Sequence, residues 1–308
     1  MAGQVGDTAS KQARAKSELT VVLIPLVGGN ALARLERRIE ALGVSHIVVD
    51  QSGCCVDANG LVLRSGAGRQ GVPYRRRLGA ETVETPFVAF LEDTVVPTET
   101  WLDDIMSSFA SADVAAVGGP VLIADSLPSR YRALGLSEFG KFHSEGLGAS
   151  GRGEPVLGAA TLAGANFGFR TSLLLAAMPA PEDALVDNEV YARLAGQGYR
   201  LGFAPSMAVR YSERHVEGAK LSTRFKHGRI YASRLCLGRG AVFRTISALK
   251  SLALPIVLTA RHLRQAPPKF RKSLSLMMWV TAYNMWWSAG EFVGAAWGGA
   301  AEGLDQWL

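Results

Sequence analysis

The sequence predicts an α/β fold: an open, mostly parallel, doubly wound sheet of Rossmann-like type, followed by an apolar helical extension. Three observations carry this. Apolar runs at 19–26, rich in Val and Ile, and at 45–50 and 87–91 read as strands buried on both faces. Segments with helical spacing of apolar residues alternate with them. The last third then changes composition, and residues 274–301 hold one charged residue, Glu291.

Taken in order, residues 1–18 read as a polar, disordered tail. Lys11, Arg14 and Lys16 have no apolar stretch behind them, so no signal peptide is expected. The first strand is closed by Pro25 and by Gly28 and Gly29. Leu32, Leu35, Ile39 and Leu42 then recur at helical spacing. The second strand ends at Asp50. A short third strand is expected at 62–63, a helix at 75–83 and a buried strand at 87–91. Further strands are expected at 114–121 and 199–204, and a helix at 187–194. Residues 128–153 are polar and glycine-rich and read as irregular.

The formal charge is +6 and the pI about 9.4, which suits anionic partners such as nucleotide phosphates or anionic lipid. The basic stretches lack interleaved aromatics, so no nucleic-acid partner is expected. The three cysteines, Cys54, Cys55 and Cys236, have no CxxC spacing. Neither a disulfide framework nor a zinc site is indicated, and a reducing cytoplasm fits.

Residues 274–301 are long enough to cross a bilayer, and Trp279, Trp286, Trp287 and Trp297 match the composition of a membrane interface. Asn284, Glu291 and many glycines argue against crossing. Arg261, Arg264, Lys269, Arg271 and Lys272 on one flank suit helices lying in an anionic cytoplasmic leaflet. A hydrophobic subunit interface or a core-packed helical subdomain would read alike.

In doubly wound sheets, ligands bind beyond the carboxyl ends of the strands. Asp50 ends one buried strand, and Glu92 and Asp93 end another. Each acid either faces the ligand crevice or caps a loop. Hard cations such as Mn²⁺ or Mg²⁺ bind one or two carboxylates together with a substrate's phosphates.

Residues 87–102 (FVAFLEDTVVPTETWL) resemble the strand and acidic motif of the family 2 glycosyltransferases, enzymes of the GT-A fold. Residues 19–30 (LTVVLIPLVGGN), 47–52 (IVVDQS), 75–79 (RRRLG), 163–170 (AGANFGFR) and 186–194 (VDNEVYARL) resemble further family segments in order, over about residues 19–235. The family's Asp-x-Asp is altered. Either Glu92-Asp93-Thr94 or Leu91-Glu92-Asp93 takes its place, and the second register is favoured. The family's usual asparagine near Arg77 is missing, and Val186 stands where the family has Glu.

The resemblance implies a metal-dependent, inverting transfer of sugar from a nucleotide-sugar, a UDP-sugar in the first instance, to a glycan or lipid-linked acceptor at the cytoplasmic membrane face. It implies Asp187 as general base. Pro25, Asp50, Arg77, Glu92 and Asp93 would bind the donor, Asp93 and His215 the Mn²⁺ or Mg²⁺ ion, and Gly164, Asn166 and Glu189 would lie on the acceptor side. Asp187 also reads as an acid favoured at a helix N-terminus. Residues 224–229 (RFKHGR) read equally as a gate near the donor phosphates or as a lipid-facing patch. The implied organisation is a tail at 1–18, a GT-A domain at 19–235 and a membrane-associated helical region at 236–308. A nucleotidyltransferase is disfavoured because Gly28 and Gly29 lack a nearby downstream Lys. A non-catalytic nucleotide-binding relative is the other alternative.

Overall fold

The computed structural model describes residues 18–65, 71–142, 156–157, 161–178, 185 and 187–298. The expected tail (Glu18 excepted), part of the segment 128–153, Val186 and the last ten residues lie outside these.

The described residues fall into two compact units. The first lies within Met1–Leu122 and Ser150–Glu213, the second within Ile123–Ala149 and Arg214–Leu308. The resemblance implied a glycosyltransferase domain ending at 235. The second compact unit takes in residues from 214 onward, together with a segment from the middle of the chain.

The first unit opens with strand β1 (Leu19–Ile24), helix α1 (Gly29–Leu42) and strand β2 (Ser45–Val49). Strands β3 (Cys54–Asp57) and β4 (Val62–Ser65) follow, then helix α2 (Val72–Thr82) and strand β5 (Phe87–Glu92). β6 (Val95–Pro97), α3 (Trp101–Ser108), β7 (Val114–Gly118) and β8 (Val121–Ile123) come next. In the second unit lies helix α4 (Ser129–Phe139), where an irregular segment was expected. The first unit resumes with β9 (Val156–Leu157), β10 (Asn166–Arg170), α5 (Thr171–Ala177) and α6 (Asp187–Gly196), then β11 (Arg200–Phe203) and β12 (Val209–Tyr211).

Nine strands form one sheet in the order β4-β3-β2-β1-β5-β10-β7-β11-β9. β1, β2, β4, β5, β7 and β11 run one way, and β3, β9 and β10 oppose them. The mixed, mostly parallel α/β sheet is therefore present, with antiparallel β10 wedged between β5 and β7. β1 is buried along its whole length, as a strand covered on both faces must be. A second sheet has the order β6-β12-β8. Phe90 stacks on Phe167 at 5.2 Å between centroids, and Phe169 on Tyr191 at 6.0 Å, so β5, β10 and α6 share one core.

β1 and β5 are paired in parallel with Ile24 opposite Glu92. Their carboxyl ends are level, and the loops that leave them lie side by side. This register positions the candidate site.

The second unit holds α7 (Leu221–Leu235), α8 (Ala241–Gln265), the short α9 (Pro268–Arg271) and α10 (Leu274–Trp297). α10 touches α7 backbone to backbone. A Cβ on Gly290 would meet the Phe225 carbonyl oxygen at 2.1 Å, and one on Gly228 would meet that of Trp287 at 2.1 Å. Among the described residues, α8 is the one helix long and apolar enough to cross a membrane.

Candidate functional site

Successive side chains of a strand point to opposite sides. At the end of β5 this sends Glu92 and Asp93 different ways. Asp93 turns into the loop after β1. Its Oδ1 accepts the N–H groups of Leu26 at 2.7 Å and Val27 at 3.1 Å, and its Oδ2 those of Val27 at 3.1 Å and Gly28 at 2.6 Å. Gly28 and Gly29, at φ 75° and 53°, supply the left-handed backbone that this loop needs. A carboxylate offers about four lone-pair sites. Asp93 is only 1% exposed. The residue expected to ligate a metal and bind the donor is thus fully engaged in clamping the loop.

Glu92 turns toward α2. Three consecutive arginines there project about 100° apart around the helix, and each meets a different partner. Arg75 Nη1 donates to the carbonyl of Pro25 at 2.7 Å. Burial lowers the Arg75 pKa to about 10, against the opposing pull of Glu92. Arg77 Nε donates to Glu81 Oε1 at 2.8 Å.

The arginine that joins the acids is Arg76, where the sequence pointed to Arg77. Its Nη1 donates to Asp187 Oδ2 at 2.8 Å, and its Nη2 to Glu92 Oε1 at 2.8 Å and to the Gly164 carbonyl at 2.6 Å. Its guanidinium carbon lies 5.1 Å from the centre of the Phe167 ring. Burial alone would favour the neutral form of Arg76, but Asp187 and Glu92 outweigh it and raise its pKa.

Asp187 opens α6. Burial raises its pKa above the ordinary value, with Arg76 pulling the other way. Its Oδ1 is buried and has no hydrogen-bond partner among the described residues. One helical turn on, the hydroxyl of Tyr191 is also buried with no partner among them, and its pKa is raised by burial and by Asp187. Gly164 leaves room for this junction: an added Cβ would sit 3.1 Å from Arg76 Nη2 and 3.5 Å from Asp187 Oδ2.

The remaining expected residues divide. Asn166 is 0% exposed. Its Oδ1 accepts Trp101 Nε1 at 2.9 Å and its Nδ2 donates to the Met207 carbonyl at 2.7 Å, so it ties buried segments together where an acceptor contact was expected. Glu189 is partly exposed in the first turn of α6. Asp50 Oδ1 accepts from Ser52 N, Ser52 Oγ and Cys54 N, closing the turn after β2. Burial would raise the pKa of Asp50, but these bonds together lower it. His215 belongs to the second unit, where it is buried with Gly218 tight against its ring.

The structure thus brings Pro25, Glu92, Gly164 and Asp187 together around Arg75 and Arg76, two residues that sequence reasoning passed over. The signal for them was the RRR run at the head of α2. Chemically, the cluster offers buried guanidinium groups and Asp187 Oδ1, which lacks a hydrogen-bond partner among the described residues, next to a glycine-bearing loop at the carboxyl end of a parallel pair.

No family model matches the chain, and no curated protein matches it in sequence. A solved structure does match in fold: the mannosyltransferase PcManGT from Pyrobaculum calidifontis, in complex with GDP-Man and Mn²⁺. The TM-score is 0.55 at 15% identity, over 95% of this chain and 96% of that one. The chain therefore shares the fold of a solved glycosyltransferase.

Proposed function

We propose that the protein is an inverting glycosyltransferase of the family 2 type. It would move a hexose from a nucleotide-sugar, a UDP-sugar in the first instance, to a glycan or lipid-linked acceptor at the cytoplasmic face of a membrane. The observation that carries this reading is the Glu92–Arg76–Asp187 junction, with Asp187 Oδ1 buried beside it and lacking a hydrogen-bond partner among the described residues. The fold shared with a sugar transferase that binds GDP-Man and Mn²⁺ supports it.

In this mechanism the donor diphosphate lies against the loop that Asp93 clamps. Arg75 and Arg76 supply positive charge on that side. Asp187 accepts the proton of the acceptor hydroxyl as that oxygen bonds to the anomeric carbon. The bond from the anomeric carbon to the diphosphate oxygen breaks, and the nucleoside diphosphate leaves with that electron pair. A single displacement inverts the anomeric configuration.

Glu92 is the carboxylate whose position fits a divalent ion, Mn²⁺ or Mg²⁺. Among the described residues, no group of three or more His, Cys, Asp or Glu gathers to cage an ion. Most ligands would then come from phosphate and water, as is usual for Mg²⁺-like ions. When bound, the ion neutralises charge on the departing diphosphate.

The test is a panel of nucleotide-sugars with and without Mn²⁺, read as release of nucleoside diphosphate. The reading requires metal-dependent release from at least one sugar donor. Release of pyrophosphate from nucleoside triphosphates instead would favour a nucleotidyltransferase. Nucleotide binding without turnover, across donors and acceptors, would favour a non-catalytic relative.

A further inference from the structure

We infer that α8 docks flat on an anionic lipid surface, in the plane of the membrane, and does not cross it. This rests on the membrane contact proposed above and specifies its surface, its mode and the lipid charge.

α8 has the length and the mean hydropathy, 1.6, of a crossing helix, yet only 11% of its most apolar stretch is buried. Its most exposed apolar residues share one side. Val242, Ile246, Leu249, Ile256 and Val257 recur at helical spacing and are all exposed, Val242 at 74% and Ile256 at 78%. The opposite side is held to α10. Arg244 donates to the carbonyls of Ala295 and Ala296 at 3.1 and 3.0 Å, and Thr259 Oγ1 accepts Asn284 Nδ2 at 3.0 Å.

The same stretch of α10 carries α7 on another side. Gly290 and Gly294 meet the backbone of Phe225 and Arg229 too closely for any side chain. α7 brings Lys226, Arg229 and Arg234 with it. If α8 crossed the hydrocarbon, α10 and these cations would be carried in as well, and ionised side chains at that depth are strongly disfavoured. Lying in the interface immerses the exposed face of α8 without carrying those cations into the hydrocarbon.

Charge selects the occupant. Between Lys220 and Gly290 the chain has thirteen Lys and Arg and no Asp or Glu. Lys250 and Arg261, both exposed, lie three helical turns apart on one flank of the apolar face. Cations at that level fit anionic headgroups. Acids outside the stretch pair with Lys220, Arg224 and Lys269, and the remainder is still an excess of positive charge that a second copy of this unit would bring to the contact as well.

The test uses the full chain with sealed phosphatidylcholine vesicles, with and without phosphatidylglycerol. Binding is expected to strengthen with the anionic lipid and to fall about fivefold for each of Lys250→Gln and Arg261→Gln. Leu249→Glu with Ile256→Glu should reduce it at least about tenfold while the circular dichroism spectrum stays native. Thiols introduced by Gly240→Cys, exposed just ahead of α8 and off its apolar face, and by Arg264→Cys should both react with an impermeant maleimide added outside, above the background of the native cysteines.

If one thiol reacts only after detergent, the helix crosses and the inference fails while membrane contact stands. If no vesicle binds, both fail. If the apolar face is instead covered by a second copy, so that Leu249→Glu with Ile256→Glu turns a dimer into a monomer and leaves vesicle binding unchanged, the inference also fails. None of these outcomes depends on transferase activity.

Discussion

Arg76 and Asp187, 111 positions apart in the chain, are joined by a 2.8 Å hydrogen bond between Nη1 and Oδ2. The other Nη of the same guanidinium reaches Glu92. One side chain therefore holds the carboxylate that ends β5 and the carboxylate that opens α6 at a fixed separation.

Removing that side chain should be costly. Arg76→Gln leaves two largely buried carboxylates without their cation, and breaking such a pair from one side costs about 3–5 kcal/mol. Urea denaturation should show a loss of unfolding free energy of that size. Arg76→Lys keeps a charge but not the fork, and should fall between.

Asp187 sets a pH dependence. A general base works only when deprotonated, and burial raises the pKa of Asp187 above the ordinary aspartate value. Activity should therefore rise with pH through a value above about 3.9. Because Arg76 pulls this pKa down, Arg76→Lys, with a less well placed cation, should move the acid limb of kcat/KM to higher pH. An unshifted limb would separate Arg76 from the base.

Asp93→Ala should act on the loop. It leaves the N–H groups of Leu26, Val27 and Gly28 without their acceptor, at about 1–3 kcal/mol for each group that water cannot reach. The expected kinetic effect is a raised KM for the donor with an unchanged metal requirement. A loss of Mn²⁺ affinity measured in the presence of nucleoside diphosphate would return Asp93 to the role of ligand.

Metal binding should need the nucleotide. With no caging group of His, Cys, Asp and Glu among the described residues, Mn²⁺ alone should bind weakly. Addition of a nucleoside diphosphate should tighten it by at least about tenfold, as read by calorimetry. Equal affinity with and without nucleotide would contradict this.

Much of the fold could be read from the sequence, because parallel strands buried on both faces leave nearly unbroken apolar runs, as β1, β2 and β5 do. β3 could not be read that way: Cys54, Val56 and Asp57 are only partly covered and break the pattern. Its turn was nonetheless marked, since Gly60 at φ 80° ends a DANG sequence. α4 was hidden by the polar composition around it, although Pro128 stands just ahead of its first turn. In the site, Asp187, Glu92 and Gly164 were identified by order along the chain. The sequence reading favoured Arg77 among three adjacent arginines, but their directions depend on how α2 is rotated against the sheet. It favoured Asp93 over Glu92 as the ligand, and strand alternation sends those two side chains apart.

The most direct measurement is the initial rate of nucleoside diphosphate release from the preferred donor, with acceptor and Mn²⁺, for the wild type and Asp187→Asn. The account predicts a fall of about 10²- to 10⁴-fold in kcat for Asp187→Asn with donor affinity retained. A variant that turns over at the wild-type rate would contradict it.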